Sequence, residues 1–269
     1  MDAIYRSLFA EATPGFVARA FQWTQSCFAG GCPGYQAIDA DYHDLEHTLQ
    51  GALCFARLLQ GRFLTGAVPL LTRPVFELGL LAILMHDTGY LKQSGDTQGT
   101  GAKYTAVHVS RSGDFAAQFL GHKGYGPREI QAVRDMILCT GVNVNLRAIP
   151  FQDGLERLAG YALGTADLLG QMAADNYVEK LAELFDEFQE AASFSEKSAG
   201  FVGLFHSAEE LMRRTPQFWQ EYVLPKLHQD FEGVFQFLSR PCPGGPNWYL
   251  ERAQSNVDRL RRLYPARAI

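Results

Sequence analysis

An all-α fold is what this sequence predicts, and three observations carry the prediction. Apolar residues recur at three-to-four spacing along nearly the whole chain, the period of a helix with one buried face. No stretch alternates strictly over six residues with β-branched enrichment, as a half-buried strand would. Turn-forming clusters fall between the periodic segments: Gly30-Gly31-Cys32-Pro33-Gly34, Gly121 to Pro127 and Pro241 to Pro246.

The segments follow in order. Phe16, Ala20, Trp23 and Phe28 mark the first strong one, and Leu49, Leu53, Ala56 and Leu59 the second. Val75 to Met85 is almost wholly apolar, so this helix is expected to be buried on all sides. Val107 to Leu120, Ile130 to Leu138, Leu155 to Leu169, Tyr177 to Phe188 and Phe218 to Phe237 complete the pattern. Along the last, Phe218, Trp219, Tyr222, Phe231, Phe235 and Phe237 read first as core, because helical spacing alone explains them. Periodic segments continue on both sides of every break, which favours one compact domain over two joined by a linker.

Composition narrows the function classes. At 269 residues, 47% hydrophobic and 20% charged, the chain can bury a sizeable core and is neither disordered nor a rod. A net charge of -5 without any Lys/Arg block argues against a nucleic-acid or membrane face, so a small molecule is the expected partner. The longest apolar run, Leu78 to Met85, is far short of the roughly 20 residues that span a bilayer, and a cytoplasmic protein is expected. Cys27, Cys32, Cys54, Cys139 and Cys242 are scattered, with no CxxC pair, and are expected to be free, mostly buried thiols.

Three clusters could carry chemistry. In Tyr42-His43-Asp44-Leu45-Glu46-His47, a helical conformation would put both imidazoles on one face, with Asp44 or Glu46 available to fix a tautomer. His86-Asp87 closes the apolar run from Leu78. A carboxylate delivered to the end of a buried helix needs a partner, and a divalent cation suits both ligand types. Asp167, a lone acid in Gly164-Thr165-Ala166-Asp167-Leu168-Leu169-Gly170, makes the same demand. Lys103, Asn143, Asn145 and Arg147 are candidate phosphate contacts near the same mouth, whereas His122 reads as surface and His206 and His228 have no assigned role.

A His, a His-Asp doublet and a distal Asp on helices of one bundle resemble the signature of the HD-domain metal-dependent phosphohydrolases. Within that superfamily the chain looks most like the class I cyclic nucleotide phosphodiesterases, in YHDLEHT at 42–48, AVHVS at 106–110, VRDMILCT at 133–140, TADLLG at 165–170 and FWQEYVLP at 218–225. The resemblance runs from about Tyr35 to Tyr249. It implies a single all-α bundle with a metal site in its core: N-terminal helices over 1–40, a metal-binding core over 41–185, and C-terminal helices over 186–269 that close the substrate pocket.

Carried over residue by residue, the resemblance implies that His47, His86, Asp87 and Asp167 hold one tightly bound divalent metal, zinc, manganese or iron. Asp87 would bridge to a second ion, magnesium or manganese. His43 would be the general acid, Thr140 would lie beside the metal shell and substrate, His108 would contact the phosphate or a metal, and Phe218 would stack on a planar base. Tyr90 stands where the phosphodiesterases have a further His, Gly141 where an acid is common, and Thr215 where a glutamine reads the purine. A hydroxyl cannot offer an amide's paired donor and acceptor. The expected activity is therefore hydrolysis of a phosphoester, foremost a phosphodiester of a nucleotide-like small molecule, by metal-activated water. A di-iron HD-type oxygenase and a non-catalytic metal-retaining nucleotide-binding module are the alternatives, and a homo-oligomer is left open.

Overall fold

In the computed structural model, which describes residues 1–194 and 205–265, the described residues are predominantly helical. The described residues form no β-strand, only an isolated antiparallel bridge between Tyr35 and Gln93. The helices are α1 (Asp2–Leu8), α2 (Phe16–Phe28), α3 (Leu45–Leu64), α4 (Arg73–Met85), α5 (His108–His122), α6 (Pro127–Ile137), α7 (Gly154–Met172), α8 (Tyr177–Phe194), α9 (Ala208–Phe218) and α10 (Trp248–Leu263). No helix among the described residues is long and apolar enough to cross a membrane.

Local chemistry sets the helix starts. The Asp44 carboxylate accepts the backbone N–H of His47 at 2.8 Å and caps α3. Asp153, Ser207 and Asn247 cap α7, α9 and α10 in the same way. Pro74 sits in the first turn of α4, where its missing N–H costs nothing.

The centre is built on α3 against α7, the most extensive helix pair, with α4 packed on both. Glycines set how closely the first two approach. A Cβ on Gly170 would lie 2.9 Å from the Gly51 Cα, so only glycine permits this crossing. From Val75 to Met85 all of α4 except Glu77 is buried, as its apolar run predicts. Two hydrophobic clusters result: a main core through α1 to α10, and a small one in which Leu91 and Phe115 pack against Cys27 and Cys32.

Two sequence expectations need correction. Cys27 and Cys32 form a disulfide instead of standing free, because the tight turn after α2 brings their Cα atoms to 4.9 Å. Cys54 and Cys139 are buried free thiols as expected, and Cys242 is half-buried. The long segment expected as one helix over Phe218 to Phe237 is instead wound as wide π turns over Trp219–Val223 and Lys226–Asp230, then a 3₁₀ turn over Val234–Leu238. Pro225 has no N–H to return to the preceding turn, which favours the wider winding.

Candidate functional site

Three elements deliver four chelating groups to one point. His47 lies in the first turn of α3, His86 and Asp87 follow the end of α4, and Asp167 projects from α7. His47 Nε2 is 3.2 Å from Asp87 Oδ2 and 3.3 Å from Asp167 Oδ1. His86 Nε2 is 3.0 Å and 3.4 Å from the same two oxygens. Ligand atoms of His47, His86 and Asp167 all lie within 4.8 Å of one another, in the manner of groups that share an ion. His47, His86 and Asp87 are buried, and Asp167 is nearly so.

Two observations test whether these residues fit a metal. His86 Nδ1 lies 2.7 Å from the Ile83 carbonyl, which can only accept, so that nitrogen carries the proton and Nε2 is the free ligand atom. His86 Nε2 and Asp87 Oδ2 are nevertheless buried without a hydrogen-bond partner, despite their proximity. Orphaned buried polar atoms are costly. A divalent cation among two imidazoles and two carboxylates satisfies all of them, so the residues fit.

Electrostatics in the ion-free chain point the same way. Burial alone would raise the Asp87 carboxyl, but the adjacent His86 and His47 hold it well below its ordinary range. Burial would lower His47, yet the neighbouring Asp167 and Asp87 carboxylates push it up to about 9. The cluster thus binds cationic charge, as protons when nothing else is there.

His43 precedes α3 instead of riding on it. The two imidazoles, expected to share a helical face, converge because the chain turns at Asp44, with ring centroids 5.5 Å apart. Its Nδ1 is 2.5 Å from Glu187 Oε2. Glu187 is buried on α8, and its Oε1 also accepts the Tyr42 N–H at 2.7 Å. Burial would raise the Glu187 carboxyl, but His43 and these donors hold it lower than usual. Asp44 and Glu46, the expected partners of an imidazole, are engaged elsewhere: Asp44 in the cap and with Lys180 at 2.7 Å, Glu46 with Gln50 at 3.3 Å.

Tyr90, three residues after Asp87, lies between His43 and His108. Its ring stacks on His43 at 4.3 Å and on His108 at 4.8 Å, and its hydroxyl lies 3.4 Å from His43 Nε2. His108 donates Nδ1–H to the Thr105 carbonyl at 2.7 Å, which leaves Nε2 as its free ring atom, and burial lowers its basicity.

A cavity of about 880 Å³ opens on this cluster. His43, His47, Asp87, His108, Thr140, Asp167 and Phe218 all line it, so the structure assembles the sequence-identified set at one place, with His86 buried behind. The Thr140 hydroxyl donates to the Ile137 carbonyl at 2.9 Å. The Thr215 hydroxyl donates to the Leu211 carbonyl at 2.8 Å and so is occupied within its helix. Phe218 and Tyr222 stack on each other at 4.9 Å and line the cavity; Phe218 is exposed instead of core, Tyr222 and Phe237 pack partly buried against the core, and Trp219, Phe231 and Phe235 are buried as expected.

The candidate phosphate contacts divide. Asn143 lines the cavity. Lys103 pairs with Asp96, Asn145 caps the turn Leu146–Ala148, and Arg147 lines a separate cavity of about 730 Å³. His122, His206 and His228 are exposed. Glu187 is the functional residue that sequence reasoning missed. Its one signal was position: an acid in the stripe of Leu181, Leu184 and Ala191 on α8.

Residues 94–239, more than half of the chain, match the family described as Npun_R2479-like. The chain belongs to that family. The matched stretch holds His108, Asp167, Glu187 and Phe218 and begins after the His86-Asp87 pair. Comparison with the curated proteins and with the solved structures returned no match.

Proposed function

We propose that the protein is a metal-dependent phosphohydrolase of the HD type that cleaves a phosphodiester of a nucleotide-like small molecule. The convergence of His47 Nε2, His86 Nε2, Asp87 Oδ2 and Asp167 Oδ1, two of them buried without hydrogen bonds, carries this reading. These four residues would hold the divalent ion, with Asp87 placed to reach a second. When bound there, such ions supply an acidified water and neutralise phosphate oxygens.

His43 would protonate the leaving oxygen. Its Nδ1 is engaged by the Glu187 carboxylate, which fixes the ring and leaves Nε2 as the atom available to a substrate in the cavity. The Tyr90 ring beneath fixes the plane of that imidazole. The cavity walls exclude water from the reacting phosphate and hold the organic part of the substrate, with Phe218 offering a ring face to a planar group.

The test is turnover of chromogenic phosphodiesters and phosphomonoesters and of cyclic nucleotides by protein loaded with manganese or magnesium, beside the Asp87→Ala variant. Hydrolysis by the parent, lost together with bound metal in Asp87→Ala, is the expected result. Silence of the metal-loaded parent across the panel, or full activity in the folded variant, would overturn the reading.

A further inference from the structure

The candidate active-site cavity is lined by a cation that the proposed phosphate chemistry does not use. Lys226 lines the cavity with only 7% of its side chain exposed. Its ammonium lies over the rings of Tyr222 at 5.4 Å and Phe231 at 5.7 Å, both of which line the same cavity. Its ion-pair partner Asp230 is 3.6 Å away and more than half exposed, beyond hydrogen-bond reach. Among the described residues no hydrogen bond engages the ammonium's three donors.

This is an unusual state for a lysine. Its flexible stem ordinarily carries the charge out to water. Burying an ammonium is costly unless anions or hydrogen-bond acceptors replace its hydration. Two ring faces offset part of that cost, and a distant exposed carboxylate a little more. The wide turn Lys226–Asp230 gives this side chain its direction, and such π turns recur at functional sites. Much of the cavity lining is apolar and aromatic, with Leu168, Leu181, Phe218 and Tyr222 among its residues.

From this geometry we infer that Lys226 is a specificity residue, and that the substrate carries a second anionic group, a carboxylate or a second phosphate, joined to the scissile phosphate through an apolar or aromatic body. The inference deepens the phosphohydrolase reading and rests on it for the position of the first phosphate. It also explains what can select a substrate when the Thr215 hydroxyl is bound to Leu211 and cannot read a base edge.

Binding of non-hydrolysable ligands separates this inference from the reading beneath it. Metal-loaded protein is titrated calorimetrically with alkylphosphonates of three to eight carbons, ending in methyl, in carboxylate or in a second phosphonate. At one chain length an anionic terminus should tighten binding about tenfold or more over methyl. Which terminus gains more identifies the second group. Lys226→Met should remove that gain, and Lys226→Arg should retain most of it, with circular dichroism confirming that both fold. The inference is overturned if neither terminus gains affinity at any length, or if the gain survives in Lys226→Met. A Lys226-dependent gain without turnover of any ester would instead overturn the hydrolase reading while leaving the anion site standing.

Discussion

The imidazole of His43 and the carboxylate of Glu187 meet at 2.5 Å although 144 positions separate them in the chain. The contact joins the entrance of α3 to the middle of α8. It places a buried anion behind a histidine that lines the cavity beside His47.

Glu187→Gln keeps the shape of the side chain and removes its charge. His43 then loses the carboxylate that orients its ring, and turnover is expected to fall by about 10²-fold with metal content unchanged. Leaving-group dependence checks the role: the deficit should be greatest for esters of weakly acidic alcohols. An equal loss across leaving groups would assign Glu187 to scaffolding alone.

The same pair has an acid limit. Glu187 ionises more readily folded than unfolded, so its contribution to stability is complete above its ordinary value near 4.5 and is lost as pH falls through the lower folded value. Urea denaturation of the parent and of Glu187→Gln at a series of pH values should show a stability gap that is constant near neutrality and closes below pH 4.5. A gap that widens in acid would contradict the assignment.

Metal removal should cost stability as well as activity. With ligand in thousandfold excess over Kd, binding to the native state alone contributes about 4 kcal/mol, or a rise of roughly 10 °C in Tm for a chain of this size. Calorimetry before and after chelation reads this directly. In His86→Ala the shift should vanish, because one nitrogen of the set is gone and Asp87 loses its nearest neighbour.

Gly89→Ala probes the turn that aims the His86-Asp87 pair. A Cβ there would lie 2.0 Å from the His108 carbonyl oxygen and 2.8 Å from Ser112 Oγ. Backbone against backbone cannot yield as a flexible side chain can, so a loss of about 1–3 kcal/mol is expected in urea denaturation. Bound metal, measured by mass spectrometry, should fall with it.

Some of this was legible in the sequence and some was not, for physical reasons. His47, His86, Asp87 and Asp167 stood out because ionisable groups inside apolar helices demand a partner, and that demand is written locally. The helices were legible for the same reason: their period is a property of neighbours. Glu187 was not, since an acid on an amphipathic helix ordinarily faces water, and only the packing of α8 on the His43 turn reverses that. The Cys27–Cys32 bond depends on a tight turn that composition does not specify, and the π turns after α9 shift Lys226 from where a regular helix would carry it.

The scatter of the chelating set along the chain also has a consequence for biogenesis. His47 leaves the ribosome long before Asp167, and the glycine-to-glycine crossing of Gly51 and Gly170 cannot form until α7 is complete. No nascent chain that ends before Asp167 contains the whole set. Capture of an ion by the proposed site would therefore be a late event in the life of each molecule, following synthesis of nearly two thirds of its length, and would report that the central helices have docked.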